Sequence, residues 1–162
     1  MAETINIAKM AEKLSKGIFN EFLWGRMEHT NINWPCEHQE THEVKTHPSD
    51  VVFWYNEPYS QSRTYVNCDL KSYAKGTIKT QAIREAIESL AMSLRCAEIS
   101  QEFSDTYIHP DVSANIQGLL FVYNHDNEYD KDFAKILEKV KCEDLDIPKG
   151  SKIVVMGPEA VS

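Results

Sequence analysis

The sequence predicts an α/β domain in which helices flank a central mixed β-sheet, and three observations carry that expectation. Residues 4–27 and 78–99 place apolar side chains at steps of three and four, as helices with one buried face require. VVFWY at 51–55 and RTYVNCDLKSY at 63–73 are rich in β-branched and aromatic residues, and the turn-like NEPYSQS between them makes a hairpin. NIQGLLFVYN at 115–124 is apolar enough to be buried on both faces, and it follows the second helix, so it is expected to run parallel to a neighbouring strand.

In chain order, the first helix gathers Ile7, Met10, Ala11, Leu14, Ile18 and Phe22 on one stripe. Glu21 falls on that stripe too, because seven residues after Leu14 is nearly two turns and leaves an angular offset of only about 20°. From His29 to Pro48 the composition turns polar around Trp34 and Pro35, which predicts mostly loop with a short strand near His42–Thr46. The hairpin comes next. The second helix then aligns Ile83, Ile87, Leu90, Ala91 and Leu94, and the buried strand follows. A shorter helix over 130–141, with Phe133, Ile136, Leu137 and Val140, and a final strand, KIVVM at 152–156, complete the pattern.

A length of 162 residues suits one domain with one core, so residues 1–162 are expected to form a single unit. The segment GPEAVS directly after the last strand raises the expectation that this is the N-terminal part of a longer protein. With 42% apolar residues, the disordered and collagen-like classes are excluded. The longest apolar run is six residues (118–123), against the roughly 20 that cross a bilayer, so no membrane segment is expected. Cys36, Cys68, Cys96 and Cys142 form no CxxC pair and follow no leader-like apolar stretch, which fits reduced thiols in a cytoplasm. The net charge of −8 opposes general attraction to nucleic acid, so any such contact must be local.

The chemistry concentrates on 63–73. Side chains alternate along a strand, so Val66, Cys68 and Leu70 share an apolar face while Asn67, Asp69 and Lys71 share the other. Asp50 opens the preceding strand, and a hairpin brings that end within reach of residues 69–71. Two carboxylates at one sheet end suit a hard cation such as Mg²⁺ or Mn²⁺. The plainer alternatives are a surface ion pair for Asp69 and Lys71, a turn role for Asp50 after Pro48-Ser49, and a first helix rotated outward at Glu21.

These residues, in this order and setting, resemble the PD-(D/E)XK nuclease superfamily. Pro48-Ser49-Asp50 looks like its first motif element, with a Ser between Pro and Asp, and Asp69-Leu70-Lys71 looks like the second, with Asp where Glu is commoner. The resemblance covers roughly residues 5–124. It implies a restriction-endonuclease-like three-layer α/β/α core with a central mixed sheet. It also implies a metal-dependent nuclease acting on DNA in preference to RNA, of a type that recurs in restriction, repair and antiphage defence. On that basis Asp50, Asp69 and the Leu70 backbone carbonyl would hold Mg²⁺ or Mn²⁺, Lys71 would serve the attacking water, and Glu21 would bind through water or hold a second metal. Lys75, Lys79, Gln81 and Arg84, at the start of the second helix, would meet the phosphate backbone, the alternative being a solvated helix end. Partner subunits, further domains or a homo-oligomer remain compatible. The rival function is a catalytically silent nuclease-like domain used for nucleic-acid binding or assembly.

A second constellation stands apart. Cys36, His38, His42 and His47 give C-x-H-x3-H-x4-H, four nitrogen and sulfur donors that a structural Zn²⁺ could join. Against this, they lie in one polar loop rather than across two knuckles, which favours chance clustering.

Overall fold

A computed structural model of the chain describes residues 22–73, 79–124 and 150–157, together with positions 9, 12, 13, 15–17 and 135. The order of elements is β1 (Gly25–Arg26), β2 (Ile32–Pro35), α1 (Gln39–His42), β3 (Thr46–Ser49), β4 (Val51–Asn56) and β5 (Ser62–Tyr73). It continues through α2 (Thr80–Ala97), α3 (Gln101–Tyr107), β6 (Ser113–Asn124) and β7 (Ile153–Met156). Five strands form a mixed sheet in the order β1-β4-β5-β6-β7, with β2 and β3 paired as a separate two-stranded sheet. β4 is antiparallel to β1 and β5, while β5, β6 and β7 run parallel.

The hairpin and the crossover arise as their sequences dictate. β4 and β5 pair from Val51↔Cys68 to Asn56↔Arg63. α2 and α3 then carry the chain back so that β6 lies parallel to β5 over twelve residue pairs. Alternation sorts the sheet into two apolar faces. Val51, Phe53, Val66, Cys68, Leu70, Leu119 and Phe121 form a cluster on one face. On the other, Val52, Tyr65 and Ile116 pack with Leu94 of α2 and with Phe103 and Tyr107 of α3. Leu120 and Val122 meet Ile83, Ala86, Ile87 and Leu90. Each such Leu or Ile withdrawn from water contributes about 1.5–3 kcal/mol, so the inward stripe of α2 holds the helix on the sheet.

Gly118 lets α2 approach. A Cβ there would stand 3.1 Å from Leu94 Cδ1 and 3.2 Å from Leu90 Cδ2. α3 starts at Ser100, whose hydroxyl accepts the Phe103 N–H at 3.1 Å, as an N-cap residue should.

The sequence expectations need four corrections. The first helix does not reach Met27: Phe22 is helical, Leu23 takes a left-handed φ of 58°, and β1 follows. Phe22 is 57% exposed and stacks on Trp24 rather than entering a core, as its place on the apolar stripe predicted. Residues 29–48 are not mostly loop, because β2 and β3 form a hairpin there, and α1 takes the start of the segment where a strand was expected. α3 was not anticipated, since seven residues are too few for a clear helical period. The predicted helix at 130–141 lies outside the described residues except for Lys135, which is helical. Among the described residues no helix is long and apolar enough to cross a membrane.

Candidate active site

The register of the hairpin fixes the site. With Val51 paired to Cys68, the next step outward sets Asp50 against Asp69. Asp50 is the single residue between β3 and β4, and its backbone is tied to both sheets. Its N–H donates to the Cys68 carbonyl (3.3 Å), and its carbonyl accepts the N–H of Asn31 (2.8 Å). Its carboxylate Oδ2 accepts the Leu70 N–H at 2.7 Å. Leu70 is two residues on from Cys68, so its N–H and carbonyl face the same strand edge, toward Asp50.

Both acids are buried, Asp50 with 7% and Asp69 with 5% of its surface exposed. Lys71 Nζ lies 3.6 Å from Asp69 Oδ1 and is itself partly exposed, so the amine stands at the solvent side of the carboxyl pair. Burial pushes the Asp69 carboxyl up to about 6; the Lys71 charge opposes this and the Asp50 charge adds to it. Burial also raises Asp50, outweighing the Leu70 N–H and the Lys71 charge. Each carboxyl also feels the other, so the two titrate together. Burial pulls the Lys71 ammonium down, but the charges of Asp69, Tyr73 and Asp50 overcome that and hold it above the ordinary lysine value.

Once both desolvated carboxyls ionise beside one ammonium the site carries a net negative charge, and a hard divalent cation fits it. Carboxylate oxygens and a backbone carbonyl are the donors such an ion takes, with water filling the remaining positions.

The other residues singled out in the sequence fall in several places. Glu21 and Lys75 lie outside the described residues. Lys79 is exposed immediately before α2. Gln81 is exposed and donates to Glu85 at 3.0 Å, while Arg84 is half-buried on the same helix. Tyr73 was missed, although it continues the alternation of Asp69 and Lys71. Burial raises its phenol, and it feels the charges of Lys71, Asp69 and Glu85, which places the first turns of α2 beside this strand end. Trp54 and Tyr65 serve the hairpin. Arg63 lies over the Trp54 ring at 4.3 Å, and the Tyr65 hydroxyl accepts the His109 N–H at 2.8 Å. Tyr59 is 99% exposed.

The Cys/His group assembles differently from its sequence spacing. Cys36, His42 and His47 come together with Cys96 from α2, whereas His38 is exposed and its ring stands edge-to-face with that of His42, at 5.4 Å between centroids. No spacing rule joins residue 96 to a loop sixty residues earlier; the crossover of α2 does. Cys36, Cys68 and Cys96 are free thiols.

A mixed sheet with an antiparallel hairpin, a helical crossover to a parallel strand and two facing strand acids followed by Lys defines a nuclease domain of the PD-(D/E)XK type. The family model described as the GAPS4 protein PD-(D/E)XK nuclease domain matches residues 1–160, and the chain belongs to that family. No curated protein and no solved structure matches it.

Proposed function

We propose that this domain is a Mg²⁺- or Mn²⁺-dependent deoxyribonuclease with Asp50, Asp69 and Lys71 at its active site. The observation that carries the reading is the buried carboxyl pair set face to face by the β4–β5 register, with the Lys71 ammonium at its solvent side. Asp50, Asp69 and the carbonyl of Leu70 are the groups suited to hold the ion. Once bound, such an ion polarises the scissile phosphate and acidifies its water. Asp50 is oriented for this by the Leu70 N–H, and Asp69 by Lys71.

Lys71 Nζ, held protonated, donates hydrogen bonds that orient the attacking water and offset charge developing on the phosphate oxygens. The half-exposed position of its side chain allows the amine to reach a strand lying across the sheet end. Lys79 and Arg84, at the start of α2, are suited to backbone phosphates of that strand, a local cationic edge on an acidic protein. Restriction, repair and antiphage defence are the settings in which such a domain would act.

The test is relaxation or linearisation of supercoiled plasmid with Mg²⁺ or Mn²⁺, comparing the native chain with Asp69→Ala and Lys71→Ala. Metal-dependent cleavage by the native chain, lost in both variants, is expected. Cleavage that survives both substitutions would remove this site.

A further inference from the structure

A second cluster of metal-ligating side chains lies apart from Asp50, Asp69 and Lys71. Cys36 Sγ and Cys96 Sγ lie 3.7 Å apart, and His42 Nδ1 lies 3.4 Å from each. The His47 donor completes a group of four in which all ligand atoms are within 4.8 Å of one another. The sulfurs are too far apart for a disulfide, which needs about 2.05 Å. A tetrahedral ion with Zn–S near 2.3 Å and Zn–N near 2.0–2.1 Å has sulfur–sulfur edges of about 3.8 Å and sulfur–nitrogen edges of about 3.5–3.6 Å. These three edges fall within about 0.2 Å of those values.

Two further observations point to a ligand. His47 is 2% exposed, and its Nε2 is buried with no hydrogen-bond partner, an expense that coordination removes. A backbone N–H is also aimed at one of the sulfurs: that of His38 donates to Cys36 Sγ at 3.4 Å. Amide donors of this kind stabilise thiolates, the form in which cysteine ligates.

We propose that Cys36, His42, His47 and Cys96 bind one structural Zn²⁺ that pins the β2–β3 hairpin to the C-terminal end of α2. Two thiolates and two neutral imidazoles balance the charge of the ion, as a buried site demands, and binding releases the two thiol protons to solvent. Four protein donors leave no open position, so the ion is structural rather than catalytic. His47 is three residues before Asp50, so zinc would anchor the segment that delivers the first strand acid. The zinc reading stands without the nuclease reading, because its test counts metal rather than cleavage.

The full chain, purified under reducing conditions, is assayed for zinc by atomic emission, and cobalt-exchanged protein is examined for the absorption bands of tetrahedral thiolate-bound Co²⁺. One zinc per chain and those bands are expected. The metal content should fall at least tenfold in Cys96→Ser and in His42→Ala, and stay unchanged in His38→Ala. His42 is half-buried rather than core, so its variant keeps the comparison meaningful if Cys96→Ser fails to fold. Native chain that is folded yet neither carries zinc nor takes it up when titrated overturns the proposal. So does zinc that persists in His42→Ala or is lost in His38→Ala.

Discussion

Asp69→Asn tests the electrostatics of the carboxyl pair directly, because it should stabilise the protein while abolishing its metal response. The Asp69 carboxyl is raised from an ordinary value of 3.8 to about 6. Folding therefore favours its protonated form, and the stability this contributes is complete below the unfolded value and lost as pH rises through about 6. At pH 8 the ionised carboxylate costs about 3 kcal/mol, an upper bound because Asp50 and Asp69 titrate together. Asparagine removes the charge at nearly the same volume. For a domain of this size, Tm should rise by up to about 6–12 °C in protein dialysed free of Mg²⁺ and Mn²⁺. The gap between variant and native chain should close near pH 4, and added Mn²⁺ should raise the Tm of the native chain only. The assay is differential scanning calorimetry at pH 4 and pH 8, with and without Mn²⁺. An Asn variant that melts at or below the native temperature at pH 8, or a gap independent of pH, refutes the argument that these carboxyls are held against their preferred ionisation.

Other consequences can be measured separately. Protons compete with the ion for Asp69, so the Mn²⁺ concentration for half-maximal binding should increase up to about tenfold for each pH unit below 6, read by calorimetric titration. Lys71→Met should reduce plasmid cleavage by about 10²-fold or more while leaving Mn²⁺ affinity within a few-fold, since in the proposed mechanism the amine acts on water and phosphate rather than on the ion. Gly118→Ala should cost about 1–3 kcal/mol in urea unfolding, because the new methyl meets Leu90 and Leu94 at 3.1–3.2 Å where strand and helix are already in contact. Tyr65→Phe should cost about 1–2 kcal/mol by leaving the His109 N–H without its acceptor.

The parts of this molecule legible in its sequence are those governed by local rules. Period-two alternation assigned Asn67, Asp69 and Lys71 to one face, and hairpin geometry set Asp50 against that face before any register was known. The stripe from Ile83 to Leu94 gave α2 and its buried side, and the apolar run 115–124 gave a parallel strand after a crossover. What escaped depends on distant partners or on short elements. β2 and β3 are four residues each, and the inward positions of β3 are the polar His47 and Ser49, so the sequence shows no strand period there; the Trp34 indole bonded to Ser49 and the Asn31 N–H bonded to Asp50 hold them. Cys96 is the clearest case, because it lies at the far end of a helix whose visible stripe is aliphatic. The sequence spacing offered His38 in its place, one residue of a loop whose ring in fact turns outward.

The position of Asp50 has a mechanical consequence. A lone residue joining two hydrogen-bonded ladders has almost no freedom of its own, so its carboxylate follows whatever the small hairpin does relative to the main sheet. Mg²⁺ accepts oxygen only near 2.1 Å, so sliding that hairpin by about 1 Å would take the Asp50 carboxylate out of reach of any such ion shared with Asp69 without touching either acid. The strands that look peripheral thus set where the Asp50 carboxylate stands, because this residue is bonded into both sheets.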